Sequence, residues 1–281
     1  MLEGTPTPTP AGVVGDVDGD LIPDAAFVAA GGSAEVVLNL ATSPRKVPID
    51  SGVLSADIGR VDGRWSVIIV KRAARDYIWS AMDMVGAASL RVFSDVVSIG
   101  QPVMGCYVNG LYTPAGYKKR KAAVVFTEYT LPAPLVVPLP ITTLSVRCGT
   151  PEQDTSTIFY LSQNMKKRTL NVVGTKSGKN VLSSQRVDPK LKGITLAVVP
   201  RETNDSPTVA ILARLGSKQV LQVLDRGNKW RGVALPRTTS GSSVTGLVGV
   251  RFGGQSYLVV QITSKAKVTS YMRLLVPGKY L

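Results

Sequence analysis

The sequence predicts an all-β fold built from repeated antiparallel units. Three observations carry this: short runs rich in Val, Ile, Leu, Thr and Tyr separated by Gly, Pro, Asn and Ser, little helical periodicity, and a motif recurring roughly every 40–50 residues. Strands are expected at 25–29, 35–40, 67–71, 122–127, 209–213, 220–224 and 257–262. Residues 73–88 place Ile78, Trp79, Met82 and Val85 at helical spacing, but two strands about a turn at Arg72–Asp76 explain the run as well, and that reading is taken.

The repeat is clearest where Gly15-Asp16-Val17-Asp18-Gly19-Asp20 is echoed by Gly59-Arg60-Val61-Asp62-Gly63-Arg64, each leading into an apolar strand. Weaker echoes are Val250-Arg251-Phe252-Gly253-Gly254-Gln255 and Tyr107-Val108-Asn109-Gly110. Units starting near 14, 55, 103, 144, 195 and 244 match the period of a four-stranded propeller blade. The expectation is a single β-propeller over residues 13–281, six blades of four antiparallel strands, with seven as the alternative. Residues 1–12 read as an expression remnant followed by a linker, because Thr5-Pro6-Thr7-Pro8-Thr9-Pro10 favours extended polyproline II and cannot enter a core.

Residues 15–26, GDVDGDLIPDAA, resemble the repeat of FG-GAP and VCBS proteins, the integrin α-subunit-like β-propellers. The likeness is strong over about a dozen residues of the first unit, fair in the second and only periodic beyond. It implies a propeller whose calcium loops lie on one face, and it implies no catalytic activity.

Apart from any family, Asp16, Asp18, Asp20 and Asp24 occupy positions 1, 3, 5 and 9 of one loop. Crowded carboxylates repel, and a hard divalent cation bound by oxygen ligands relieves the repulsion, so calcium is the expected ion. Ile22 at position 7 is expected to add its backbone carbonyl, as in the family's loop, and Gly19 permits the tight turn. The competing reading is an aspartate-rich turn that caps its own amides. Later copies have lost the acids, with Arg60 and Arg64 in the second unit and Gly253 in the sixth, so one structural calcium site is expected.

Composition narrows the chemistry. The chain has no histidine, which excludes serine–histidine and cysteine–histidine catalysis and histidine-ligated zinc. Its 44% hydrophobic content suits a soluble globular domain, and no uncharged apolar run approaches the roughly 20 residues of a spanning helix. Cys106 and Cys148 have no CxxC spacing. They fall near the ends of first strands in adjacent units, neighbours around a central channel, so a bridge is expected over two free thiols. Bridge, linker and aspartate loop together favour a secreted or cell-envelope setting.

Charge is uneven. Residues 1–100 hold 8 basic and 12 acidic side chains, residues 101–281 hold 25 and 7, so one sector should attract polyanions. The insertion Leu111–Lys121 carries Tyr112, Tyr117 and the cations Lys118, Lys119, Arg120 and Lys121. It is expected to project beside the calcium loop and to suit an acidic glycan, against the plainer reading of a solvated turn. Lys166-Lys167-Arg168 is placed in a hairpin turn on the opposite face, and Trp65, Trp79 and Trp230 in the core. The expected function is a non-catalytic, calcium-stabilised binding or adhesion module, monomeric when isolated, recognising a glycan, cell-wall polymer or protein. Nucleic acid is disfavoured for want of a reading motif. The alternatives are a scaffold domain packed on a neighbour, or a carboxylate-dependent hydrolase or lyase drawing on Asp57, Asp62, Glu128, Glu152, Asp154, Glu202 or Asp205.

Overall fold

Continuous apolar runs force the architecture. In the run Val67-Ile68-Ile69-Val70 every side chain is fully buried, which a strand achieves only when both of its faces are covered. Val67 and Ile69 pack with Val36 and Leu38 on one side, while Ile68 and Val70 pack with Tyr107 and Val125 on the other. Each sheet is therefore sandwiched between two others.

The computed structural model describes residues 15–280 except 30, 41–42, 75, 86–88, 95–100, 109–110, 128–134, 150–156, 166, 175–179 and 201–207. The Thr/Pro segment, the expected unit start near 14, Lys166 and the acids Glu128, Glu152, Asp154, Glu202 and Asp205 lie outside the described residues.

Six antiparallel sheets of three or four strands follow one another along the chain. Sheet 1 holds β1 (Ala25–Val28), β2 (Ala34–Leu38) and β3 (Arg45–Asp50), and sheet 2 holds β4 (Val53–Val61), β5 (Arg64–Ala73), β6 (Asp76–Asp83) and β7 (Ser89–Ser94). Sheet 3 opens with β8 (Gln101–Val103), then inserts the two-stranded ribbon β9 (Tyr107–Val108) and β10 (Leu111–Tyr112), and continues with β11 (Ala115–Lys118), β12 (Ala123–Phe126) and β13 (Leu135–Pro138). Sheet 4 is β14 (Thr143–Cys148), β15 (Thr157–Asn164), β16 (Lys167–Gly174) and β17 (Asn180–Val187). Sheet 5 is β18 (Leu191–Val199), β19 (Thr208–Leu215), β20 (Lys218–Leu224) and β21 (Trp230–Val233), and sheet 6 is β22 (Ser243–Phe252), β23 (Gln255–Thr263) and β24 (Thr269–Leu275). No α-helix occurs among the described residues, and the strand pair expected about a turn at Arg72–Asp76 is present as β5 and β6.

Six core clusters sit one between each consecutive pair of sheets, and the sixth joins Val250 and Val259 of sheet 6 to Ala25, Phe27, Val37 and Leu40 of sheet 1. The Phe27 and Tyr271 rings, 4.9 Å apart, and the Tyr271 hydroxyl donating to Glu35 add to that closing contact. The arrangement is the all-β propeller that the repeat predicts. The expected four strands per unit hold for sheets 2 to 5, whereas sheets 1 and 6 have three among the described residues. In sheet 1 the aspartate motif precedes β1, so β1 corresponds to a second strand. Sheet 6 instead leaves β24 for a 3-10 turn at Gly278–Tyr280.

Antiparallel order sorts the connections onto two rims. Turns from first to second strands and from third to fourth lie on one, here the upper rim. Turns from second to third strands and the crossings between sheets lie on the other, the lower rim. Two upper-rim turns use paired left-handed residues, Asp62 and Gly63 (φ 51° and 78°) and Gly253 and Gly254 (φ 57° and 74°), the geometry of type I′ hairpins.

Inner strands crowd the channel. A Cβ on Gly249 of β22 would lie 2.1 Å from the Val198 carbonyl oxygen of β18, and backbone has no rotamer with which to yield. Gly249→Ala is expected to destabilise by about 3 kcal/mol or more in urea unfolding, beyond the usual overpacking cost. A loss below about 1 kcal/mol would mean the two sheets separate easily.

Candidate functional site

Three neighbouring features hold the polar chemistry: the aspartate loop on the upper rim, the central channel and the insertion of sheet 3. In the loop, Asp16 accepts the amides of Gly19 (2.7 Å) and Leu21 (2.9 Å), and Asp24 accepts those of Val17 (2.8 Å) and Asn39 (2.9 Å). These bonds, with the Asp24 amide to the Gly15 carbonyl at 3.0 Å, wrap the chain round the carboxylates. The self-capping expected of an aspartate-rich turn is thus present, and it leaves something over. Carboxylate oxygens of Asp16, Asp18 and Asp24 lie within 4.8 Å of one another, and Asp18 Oδ1 is buried without a hydrogen-bond partner.

Electrostatics in the loop reflect this crowding. Burial, with the charges of Asp18 and Asp16 adding to it, pushes the Asp24 carboxyl up to about 7 against two opposing amide bonds. Burial and then the Asp20 charge also raise Asp18. Asp20 is exposed, accepts the Ile22 amide at 2.8 Å and is not part of that group of three. The residues brought together are therefore Asp16, Asp18 and Asp24. Their donor set of crowded, partly orphaned carboxylate oxygens fits a hard divalent cation.

In the equivalent turn of sheet 2, Arg64 pairs with Asp83 at 3.1 Å, and the Arg60 guanidinium stands 5.7 Å over the Trp65 ring. Trp79 is fully buried, as expected, while Trp65 and Trp230 are half-buried, the latter donating to the Arg186 carbonyl.

The insertion corrects an expectation. Tyr112 and Tyr117 were expected to project as stacking platforms, but they are only 5% and 8% exposed. The β9–β10 ribbon sets Tyr112 opposite Tyr107 and turns both rings into the core between sheets 2 and 3, where they meet edge to face at 5.2 Å. Gly59 makes room for Tyr112, since a Cβ there would lie 2.2 Å from its ring. Tyr117 packs between sheets 3 and 4. The cations are corrected too. Lys118 ends β11, and exposed Lys119, Arg120 and Lys121 form a 3-10 turn into β12. That is a second-to-third-strand turn, so the run lies on the lower rim, opposite the aspartate loop.

The expected disulfide Cys106–Cys148 is present, with Cα atoms 4.9 Å apart. It ties the start of the insertion to the end of β14, and the Cys148 amide to the Met104 carbonyl (3.2 Å) reinforces the join. Closing a loop of this length corresponds to about 4 kcal/mol in the chain-entropy account.

Beside the bridge runs the channel, with two adjoining cavities of about 120 and 260 Å³ that share Ala56, Met104, Arg147, Leu247 and Val248. Its charged pair is Asp57 of β4 and Arg147 of β14. Asp57 accepts the Ile58 amide (2.9 Å) and the Tyr112 hydroxyl (3.2 Å), while Arg147 Nε donates to the Leu196 carbonyl (3.4 Å). Burial raises the Asp57 carboxyl above its ordinary value, opposed by the Arg147 charge and the hydrogen bonds. Sequence reasoning named Asp57 only among loose acids and missed Arg147. Period-2 alternation gives the side of its own strand on which each residue stands, but not that both sides line one channel.

No protein-family model and no curated protein sequence matches the chain. Among solved structures, a chain of Kuenenia stuttgartiensis hydrazine synthase aligns over 94% of this chain and 80% of its own, at 10% identity and a TM-score of 0.46.

The raised carboxyl of Asp57 means that the folded state holds a proton more tightly than the unfolded one. Its ionisation therefore costs stability as pH rises through and above the ordinary carboxylate range near 4. Asp57→Asn, which cannot ionise, is expected to gain melting temperature relative to the wild type between pH 4 and pH 8. The reverse trend would show that attraction to Arg147 outweighs burial.

Proposed function

We propose that this chain is a calcium-stabilised β-propeller binding module of the FG-GAP/VCBS type. It acts at the cell surface or in secreted form, recognises a glycan, cell-wall polymer or protein, and does no chemistry on it. The observation that carries the reading is the convergence of Asp16, Asp18 and Asp24 with a buried, unpartnered Asp18 oxygen. Calcium there would neutralise the loop and hold it against sheet 2, where Gly15 faces Ile58. The disulfide fits an oxidising compartment, and among the described residues no helix is long and apolar enough to cross a membrane. With Tyr112 and Tyr117 in the core, the ligand is assigned to the channel. There half-buried Trp65 lines the wall, Arg147 offers a cation and Asp57 an acceptor, a mix suited to hydroxyl- and carboxylate-bearing sugars.

Binding of the ion to the folded state alone must raise stability with free calcium. At calcium a hundredfold above Kd the expected rise in melting temperature is about 5 °C, with magnesium giving less and Asp18→Asn abolishing it. Equal melting curves in chelator and in millimolar calcium would refute the site. For the ligand, calorimetry of the whole chain against neutral and acidic oligosaccharides should detect binding to one class, lost in Arg147→Gln. Binding that survives this change would move the site out of the channel.

A further inference from the structure

We propose that the lower rim is a docking surface for an anionic lipid bilayer. The inference is independent of the channel ligand. It rests on where the turns place their tips. Met165 at the β15–β16 turn is 90% exposed, Val268 at the β23–β24 turn 64% and Leu215 at the β19–β20 turn 42%. Ile141, between β13 and β14, is 72% exposed, and Leu144 and Leu54, near the starts of β14 and β4, stand out on the same rim. Six of the eleven large hydrophobic side chains exposed among the described residues thus share one rim, while the others are spread over the upper rim and the outer strands. Isolated exposed apolar residues need no explanation, but six sharing one rim with cations between them do.

Cations flank these tips. Lys167 follows Met165, Arg214 and Lys218 bracket the Leu215 turn, and Lys265 and Lys267 precede Val268, all of them exposed. The run Lys119-Arg120-Lys121 supplies three more beside Ile141, since the Ala122 carbonyl accepts the Leu139 amide and so holds the two connections together. Acids on or next to this rim among the described residues are fewer. Asp50 is held by Lys71 at 2.7 Å, Glu35 takes the hydroxyls of Thr269 and Tyr271, and Asp76 and Asp188 complete the set. The aspartate cluster lies at the opposite end.

An acidic polysaccharide would account for the cations but would leave the apolar tips in water. A lipid surface accounts for both. Anionic headgroups meet the lysines and arginines, and the tips enter the boundary between headgroups and acyl chains. Each cation near such a surface is worth about a fivefold gain in partition, and each buried apolar tip adds more. Turns from adjacent sheets ending at one rim present the tips together, as a surface requires.

The test is co-sedimentation of the whole chain with phosphatidylcholine vesicles, with and without phosphatidylglycerol. The expected result is retention by the anionic vesicles only. The triple variant Met165→Ser, Leu215→Ser, Val268→Ser should cut partition at least tenfold with an unchanged melting temperature. Lys119→Glu with Lys121→Glu should do the same, and Arg64→Glu on the upper rim should stay within about twofold of the wild type. Failure of anionic vesicles to retain the protein would overturn the proposal. So would retention that the serine triple leaves intact, or capture by soluble heparin without capture by vesicles, either of which would make the rim a polyanion surface only.

Discussion

Burial of the second strand of each sheet on both faces is the constraint on which the structure depends. A strand such as β5, β15, β19 or β23 has no polar face, so a single sheet cannot stand in water and must lie between two others. Side-chain alternation then does the sorting. Odd positions in Val67–Val70 serve one interface and even positions the other, and the same division recurs in Ile158–Leu161 and Val209–Ala213. A row of such sheets has two uncovered ends, and curling until Phe27 meets Tyr271 covers both. Among the described residues, packing and side-chain hydrogen bonds make the closure, and sheets 1 and 6 have three strands each.

A second consequence of closure is the division of labour between the rims. Because inner strands approach as closely as Gly249 and Val198, the channel is narrow and its few polar groups face one another. Asp57 and Arg147 come from sheets that are not neighbours in sequence. The β9–β10 ribbon would be a loop in a simpler sheet. Here it folds inward, fills the space between sheets 2 and 3 with Tyr107 and Tyr112, and is pinned by the disulfide. An insertion that looks like a binding loop is a structural wedge, and its tyrosine hydroxyl serves to hold Asp57 in place.

Polarity also separates by rim. The upper rim carries the crowded aspartates, and there burial, with neighbouring charges adding to it, raises the carboxyls of Asp18 and Asp24. The lower rim carries exposed lysines and arginines with apolar side chains between them. A net charge of +14 says nothing of this arrangement, and the contrast between the halves of the chain only hints at it, because cations 50 residues apart become neighbours when equivalent turns of successive sheets end at one rim.

What the sequence determined by itself was local and periodic: strand runs, the turn near residue 74, the spacing of units, the aspartate loop and the pairing of Cys106 with Cys148. Each depends on residues close in the chain or on equivalent positions in a repeat, so alternation and spacing are enough to read them. What only the tertiary structure decided was which side of a strand faces the core, the channel or solvent. That choice placed Tyr112 and Tyr117 inside, set Lys118–Lys121 opposite the aspartate loop, left Asp20 outside the carboxylate cluster and brought Arg147 to Asp57. The physical reason is that a side chain's surroundings in a propeller are set by the sheets on either side, and those contacts join residues from different units that no local pattern links.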